Sequence, residues 1–309
     1  MSFLVLLLPE IQTYILQNMG MDVNKLALQK NPFPDIDFKI ILNQIETRIK
    51  SKDKLPTWFN AQDIIFPSKI SIEQTSSEVT AQYKLQLISG TNLIDLTGGF
   101  GVDDYYFSKK VKQVVHCEIN EELSEIVQHN FRQLNCTNIK CFSGDSSDFL
   151  TQSTTKYDWI YIDPSRRNDA KGKVFMLKDC LPNVPDLLDF YFNYSDKILI
   201  KTAPILDIAA GLSELKNVKE IHIVAVENEV KELLWIIEKG YEKTIEIKTT
   251  NITKLKSYLF NFYYNNESES NYNLPQKYLY EPNSAIMKSG GFDAVCGKFP
   301  LKKLHKNSH

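Results

Sequence analysis

The segment Leu-Ile-Asp-Leu-Thr-Gly-Gly-Phe-Gly-Val-Asp at residues 93–103 decides the fold, because a short apolar run ends in an acid and enters a turn crowded with glycine. The turn at 97–101 has glycine where a backbone must bend tightly and approach a ligand more closely than a Cβ would permit. The pattern predicts a strand that ends at Asp95 and leads into a ligand-binding loop. Nucleotide, flavin and adenosyl cofactors are all bound by such loops, so the following segments must decide among them.

Three further apolar runs lead into polar residues in the same way. Residues 114–117 precede Glu118, at the distance where a doubly wound sheet places the acid that accepts hydrogen bonds from a ribose diol. Residues 139–144 precede Asp145, whose carboxylate is suited to accept a hydrogen bond from an adenine amino group. A fourth run precedes Asp163-Pro164-Ser165-Arg166-Arg167. The sequence therefore predicts four strand ends in register along one edge of a sheet.

A dinucleotide-dependent dehydrogenase is the main rival for this pattern. Its fingerprint, G-x-G-x-x-G, needs a third glycine where the helix meets the strand, and Asp104 stands at that position. A dehydrogenase also needs neither an acid at Asp145 nor a polar tetrapeptide after the fourth strand. The spacing favours an adenosyl cofactor over a dinucleotide.

In order, the four strand ends resemble motifs I to IV of the class I S-adenosylmethionine-dependent methyltransferases, over residues 85–264. The resemblance implies a Rossmann-like α/β fold, a mostly parallel sheet with an antiparallel last strand, and S-adenosylmethionine as cofactor. Thr97 replaces the first glycine of the usual motif I, a variant that looks like bacterial RNA guanine methyltransferases. The implied cofactor-binding residues are Asp95, Thr97, Gly98, Gly99, Phe100, Gly101, Glu118, Ile119, Asp145 and Ser146.

The fourth strand end carries the catalytic candidates Asp163, Pro164, Ser165 and Arg166. Amino-group methyltransferases place (Asn/Asp/Ser)-Pro-Pro-aromatic here, so that a side-chain oxygen and a backbone carbonyl accept hydrogen bonds from the amine while the aromatic ring stacks on the base. Asp163 and Pro164 keep the first half of that motif, whereas Ser165 and Arg166 break the second. An arginine side chain can also stack on a base.

The substrate-binding candidates are Arg166, Arg167 and Lys201. The two arginines hold a phosphate backbone, or one of them pairs with a carboxylate such as Asp163 or Asp179 and organises the loop. Lys201, at the end of the next strand, either assists the acceptor or balances Asp163.

The composition is that of an ordinary protein of 309 residues with a net charge of −2. That charge argues against broad electrostatic capture of nucleic acid and leaves room for a local basic patch. Five scattered cysteines without a C-x-x-C pair indicate reduced core thiols rather than metal ligands. We therefore predict a cytoplasmic protein without a metal, and the short apolar run at 3–8 indicates neither a signal peptide nor a membrane span.

Helix-length segments dominate residues 1–84, which are predicted to form an N-terminal helical domain. Residues 85–266 alternate strand and helix patterns and are predicted to form the Rossmann-like domain. Within it, 220–227 and 231–238 read as a hairpin about Asn228-Glu229 that inserts the antiparallel strand, although a helix over 229–239 is the alternative. Residues 244–252 and 256–264 either extend the sheet or form an appendage, and 265–271 reads as a linker.

The segment before motif I and the buried histidines leave alternatives open. Glu73, Gln74, Ser76 and Thr80 either line the cofactor pocket or belong to a capping cluster with Ser76 or Ser77 near a helix start. His116 and His222 lie inside apolar strands, which favours packed residues over catalytic bases.

Four segments, Glu73–Glu78, Asp163–Arg167, Lys201–Pro204 and Tyr280–Asn283, together resemble a bacterial group of class I methyltransferases with a C-terminal THUMP-like domain. The resemblance implies that 267–309 begins such a domain, truncated here, and that RNA is the partner, since THUMP domains bind RNA in other enzymes. The implied activity is methyl transfer to a nitrogen of an RNA base. The alternatives are an RNA-binding or cofactor-sensing module without turnover, and a small-molecule or protein methyltransferase.

Overall fold

A computed structural model describes residues 3–166, 176–265 and 270–308 and divides into two compact units, Met1–Asp158 and Trp159–His309. The first unit begins with helices, as the sequence predicts. After a 3-10 helix at Phe3–Leu7 these are α1 (Pro9–Gln17), α2 (Val23–Ala27), α3 (Phe38–Lys54), α4 (Pro56–Asn60), α5 (Lys69–Gln74) and α6 (Glu78–Leu87).

Side-chain caps fix where several of these helices begin. The Asp37 carboxylate accepts the Lys39 N–H at 3.0 Å at the start of α3, and the Ser77 hydroxyl accepts the Thr80 N–H at 3.2 Å at the start of α6. Each cap satisfies a backbone donor that has no partner inside its helix. The capping cluster predicted near residue 77 is therefore present, with Ser77 as the cap.

The rest of the first unit alternates strands and helices. Its elements are β1 (Asn92–Asp95), α7 (Val102–Phe107), β2 (Gln113–Glu118), α8 (Glu121–Gln133), β3 (Ile139–Ser143) and α9 (Ser146–Gln152). The three strands are parallel and lie in the order β1-β2-β3, so their carboxyl ends share one edge. One buried cluster joins Trp58 and Phe66 from the helical segment to Phe100, Val127 and Phe131. The N-terminal helical segment, the glycine loop and α8 thus share a core.

The second unit carries the remaining elements. They are β4 (Trp159–Ile162), β5 (Ser165–Arg166), a 3-10 helix (Leu177–Asp179), β6 (Cys180–Leu181), α10 (Val184–Tyr191), β7 (Lys197–Thr202), α11 (Ile208–Glu214), β8 (Val218–Val226), β9 (Glu229–Glu238), β10 (Glu246–Ile252), β11 (Ser257–Tyr263), α12 (Ser284–Ser289) and α13 (Phe292–Lys298). The main strands lie in the order β4-β7-β9-β8-β10-β11, while β5 and β6 form a separate antiparallel pair.

The predicted hairpin is confirmed, and the helical alternative for 229–239 is wrong. Strand β9 lies between β7 and β8 and is antiparallel to both. The two residues between β8 and β9, Glu227 and Asn228, have φ angles of 50° and 61°. Positive φ at both positions is what a two-residue hairpin turn requires, so the turn lies one residue earlier than predicted.

Strands β10 and β11 extend the sheet and form no appendage. Strand β10 pairs with β8 in parallel, and β11 pairs with β10 in antiparallel orientation. Phe260 on β11 packs with Ile286 and Val295 from α12 and α13. Most of the predicted linker at 265–271 lies outside the described residues, and the domain boundaries at 84 and 266 stay predictions. Within the described ranges, no helix combines the length and hydrophobicity that crossing a membrane requires.

Candidate functional site

The glycine loop that follows β1 is held by hydrogen bonds from both of its sides. The Asp95 carboxylate accepts the Thr97 N–H at 2.7 Å and the Thr97 hydroxyl at 3.1 Å. The Gly98 N–H donates to the Cys117 carbonyl of β2 at 2.8 Å, and the Gly101 N–H donates back to the Gly98 carbonyl at 2.9 Å. The loop is therefore fixed to β1 and β2 before any ligand binds.

The three glycines of the loop have different reasons for being glycine. A Cβ on Gly98 would lie 2.2 Å from the His116 ring, and a Cβ on Gly101 would lie 2.5 Å from Phe131. At Gly99, which has a φ of 55°, a Cβ would meet only the Thr97 carbonyl, at 3.8 Å. The sequence predicts that a ligand approaches the whole turn closely. Protein side chains fill the space beside Gly98 and Gly101, so among the three glycines only Gly99 leaves room for a ligand.

Glu118 and Asp145 lie at the carboxyl ends of β2 and β3, as predicted. The Glu118 carboxylate accepts the Gly99 N–H at 2.9 Å and the Asn120 N–H at 2.8 Å, one on each oxygen. Asp145 is exposed and caps α9 by accepting the Ser147 N–H at 2.7 Å. Ile119 beside them is 75% exposed, although it is a large apolar residue. These three side chains remain accessible at the edge of the strands.

Other predicted cofactor residues are placed differently by the fold. Asp95 is 2% exposed and Phe100 is 3% exposed, with the Phe100 ring packed near Trp58 and Phe66. Gly101 is also buried, whereas Thr97, Gly98 and Ser146 are half-buried. Asp95 and the Phe100 side chain therefore support the loop from its buried side, and their side chains are not accessible to a ligand.

A buried polar cluster beneath the loop was not predicted as functional. Asp104 on α7 and His116 on β2 are both fully buried, and the His116 Nδ1 atom lies 2.6 Å from the Asp104 Oδ2 atom. Asp95 lies directly opposite His116 across the pairing of β1 with β2. Burial, with the neighbouring carboxylates, raises the pKa of both Asp95 and Asp104 well above the usual range. The sequence signal for this cluster was Asp104 itself, which stands where the dehydrogenase fingerprint has its third glycine.

Burial lowers the pKa of His116, so its imidazole is neutral. The prediction that His116 is a packed residue agrees with its full burial. His222 on β8 is likewise buried and lies 3.1 Å from the Glu220 carboxylate. That contact, more than the other neighbours, lowers the pKa of Glu220 to about 2.

The segment before β1 ties α6 to α7. The Ser76 hydroxyl donates to the Asp103 carboxylate at 2.8 Å, and the fully buried Lys84 ammonium lies 3.2 Å from the same carboxylate. The Glu78 carboxylate accepts the Tyr106 hydroxyl at 2.6 Å, and burial followed by this bond raises the pKa of Tyr106 to about 12. Glu73 instead pairs with Lys50 at the surface. Ser76 and Thr80 are buried, so these contacts favour the structural alternative for this segment.

The catalytic candidates follow β4 in the second unit. Asp163 is half-buried, and its carboxylate forms an ion pair with the Lys201 ammonium at the end of β7. Pro164 is buried, and the exposed Ser165 pairs with Leu181 in the β5–β6 hairpin. Arg166 pairs through its backbone with Cys180, whereas Arg167 lies outside the described residues. Of the two roles predicted for Lys201, balancing Asp163 is the one this contact provides.

The carboxyl end of β7 is held rigidly. Lys201 and Thr202 pair with Leu234 and Leu233 of β9, and the Thr202 hydroxyl accepts the buried Trp235 Nε1–H at 3.0 Å. Lys201 is only 9% exposed, so its ammonium has little freedom to leave Asp163. In the described part of the chain, no His, Cys, Asp and Glu side chains are grouped as metal ligands.

A family model described as a ferredoxin-like domain matches residues 278–309. The THUMP-like assignment of 267–309 is thus not confirmed and stays a prediction. An uncharacterised RNA methyltransferase of Clostridium acetobutylicum is 27% identical over 120 residues, which is 38% of this chain and 25% of that protein. The match spans only about a quarter of that relative's length.

Solved structures resemble the chain to different extents. TrmK of M. capricolum, solved with S-adenosylhomocysteine, is 15% identical, with 52% of this chain and 68% of that chain covered and a TM-score of 0.41. A proposed methyltransferase of Porphyromonas gingivalis W83 is 30% identical, with a TM-score of 0.84 and 100% of this chain and 78% of that chain covered. The 30% identity and the coverage of the Porphyromonas gingivalis protein show that the chain belongs to its family, and the parallel-dominated sheet is the Rossmann-like fold of class I methyltransferases.

Proposed function

We propose that this protein is an S-adenosylmethionine-dependent methyltransferase that transfers a methyl group to a nitrogen of an RNA base. The observation that carries the cofactor assignment is the edge formed by the ends of β1, β2 and β3. There Gly99 leaves open space above the backbone, Ile119 exposes an apolar side chain, and Glu118 and Asp145 present carboxylates. An adenosyl group needs such a combination of an apolar contact for the base and acceptors for its hydroxyl and amino donors.

Each residue has a distinct part in this assignment. Glu118 would accept hydrogen bonds from the ribose hydroxyls, Asp145 would accept them from the adenine amino group, and Ile119 would pack on the adenine ring. Gly99 would let the backbone approach the amino acid part of the cofactor. Asp95 is buried and bonded to Thr97, so it would act by holding the loop.

The cofactor supplies a methyl carbon on a sulfonium, which is a good leaving group. The protein's main tasks are then to orient the acceptor nitrogen and to accept hydrogen bonds from it. Asp163 and the Pro164 carbonyl are suited to that task, since both follow the carboxyl end of β4. Lys201 would hold the Asp163 carboxylate in one orientation through their ion pair. Lys201 is thus a positioning residue for Asp163 in this proposal.

Two observations support RNA as the acceptor. The Clostridium acetobutylicum relative is named as an RNA methyltransferase. In addition, Arg166 and Arg167 directly follow the motif that contains Asp163, where cations suit a polyanionic substrate. A THUMP-like domain at 267–309, as the sequence predicts, would add a second RNA-binding element.

The proposal is tested by incubating the protein with cellular RNA and S-adenosylmethionine carrying a labelled methyl group. After digestion to nucleosides, mass spectrometry should find the label on a base nitrogen with the wild type and not with Asp163→Asn. Calorimetry with S-adenosylhomocysteine is run in parallel. Binding without label transfer to RNA would favour a cofactor-sensing module or a different acceptor. Absence of binding would overturn the proposal.

A further inference from the structure

The buried cluster beneath the glycine loop contains Asp95, Asp104 and His116. The Asp95 carboxylate accepts the Thr97 N–H of the loop at 2.7 Å. The His116 Nδ1 atom lies 2.6 Å from the Asp104 Oδ2 atom. Asp95 and His116 are also direct neighbours across β1 and β2.

The contact with Asp104 orients the His116 ring. The ring is neutral, because burial lowers the pKa of His116. Its Nδ1 atom forms a hydrogen bond with the Asp104 carboxyl. Its Nε2 atom is buried and has no hydrogen-bond partner among the residues that the structure describes. The orientation of His116 is therefore set by Asp104.

The oriented ring supports the loop directly. A Cβ on Gly98 would lie 2.2 Å from Cε1, 2.3 Å from Nδ1 and 2.7 Å from Nε2 of His116. Three ring atoms thus occupy the space beside Gly98 that a Cβ would need. Because packed atoms cannot overlap, the ring limits how closely Gly98, and with it the adjoining Gly99, can approach β2.

We propose that His116 and Asp104 are positioning residues. They fix the distance between the glycine loop and β2 and thereby set the affinity for the cofactor. The inference rests on the proposed function, since it assumes that the loop binds S-adenosylmethionine. It goes beyond that function by assigning a role to two fully buried side chains that never touch the cofactor. The position of Gly98 depends on the ring beneath it, and the ring depends on Asp104.

The test is a double-mutant cycle with Gly98→Ala and His116→Ser, in which calorimetry measures the affinity for S-adenosylhomocysteine. Gly98→Ala alone adds a methyl group that collides with the ring, and it should weaken binding by tenfold or more, as an order of magnitude. In the His116→Ser background the ring atoms are absent, so the same alanine should change the dissociation constant less than about threefold. His116→Asn keeps a side-chain N–H for Asp104 and should bind more tightly than His116→Ser.

Gly291→Ala is the matched control. Its Cβ would lie 2.5 Å from the Phe262 ring in the second unit, so it should lower the melting temperature without changing the affinity. A wild type that does not bind S-adenosylhomocysteine would overturn the proposed function and this inference with it. A wild type that binds, with equal effects of Gly98→Ala in both backgrounds, would overturn the inference alone. Should Gly98→Ala fail to fold, His116→Ser with wild-type affinity would overturn it as well.

Discussion

Replacing Glu118 with alanine tests the cofactor site where its geometry is most specific. In the structure each carboxylate oxygen accepts one backbone N–H, from Gly99 at 2.9 Å and from Asn120 at 2.8 Å. Each oxygen keeps a further lone pair for a ribose hydroxyl. Losing two such bonds at about 1–1.5 kcal/mol each costs about 2–3 kcal/mol, which is roughly a 30- to 150-fold rise in the dissociation constant.

The assay is calorimetry with S-adenosylhomocysteine at fixed pH and salt concentration. Glu122→Ala is the control, since Glu122 is an exposed acid in the first turn of α8 and its removal changes the net charge equally. Melting temperatures of both variants should stay close to the wild type, because water can replace the lost acceptor at a half-buried site. A Glu118→Ala dissociation constant within threefold of the wild type would refute the placement of the ribose.

Three further predictions concern the acceptor, the RNA and the buried carboxyls. Asp163→Ala should abolish turnover while leaving the affinity for S-adenosylhomocysteine within a few-fold, and wild-type turnover on the identified substrate would contradict its role. Arg166→Ala combined with Arg167→Ala should lower the salt slope of RNA binding by about one to two units, whereas an unchanged slope with a lower melting temperature would indicate that they only organise the loop. Because its pKa is raised, Asp104 keeps its proton in the folded state, whereas the unfolded chain releases that proton above about pH 4. Proton binding by Asp104 therefore contributes its full stabilisation below about pH 4. The free energy of unfolding then falls by about 1.4 kcal/mol per pH unit as the pH rises towards the folded-state pKa. In urea titrations from pH 5 to 8, the stability advantage of the wild type over Asp104→Asn should shrink with rising pH, and a constant difference would contradict the raised pKa of Asp104.

Local patterns determined most of the fold. The apolar runs before Asp95, Glu118, Asp145 and Asp163 each became a strand, because strand length and the residues that bound it are readable from a few neighbouring positions. Parallel strands place their carboxyl ends at one edge, so the positions of Glu118 and Asp145 at that edge followed as well. The hairpin turn was displaced by one residue, since sequence cannot tell which of two adjacent pairs adopts positive φ.

Contacts between distant segments decided the rest. The sequence assigned Asp95 and Phe100 to the cofactor, yet the fold buries both. Phe100 packs in one cluster with Trp58 and Phe66, and Asp95 lies opposite His116 on the neighbouring strand. The sequence analysis attributed the glycine at position 98 to the close approach of a ligand. In the structure the close neighbour of Gly98 is the His116 ring, which the register of β1 against β2 brings there.

The sequence by itself determined that this is a class I methyltransferase fold with acids and glycines at the expected strand ends. Only the tertiary structure decided which of those groups are accessible, that Asp163 pairs with Lys201, and that Asp104 forms a buried hydrogen bond with His116. The physical reason is that periodicity specifies an element and its buried face, whereas a hydrogen-bond partner depends on strand register and helix packing over long sequence separations.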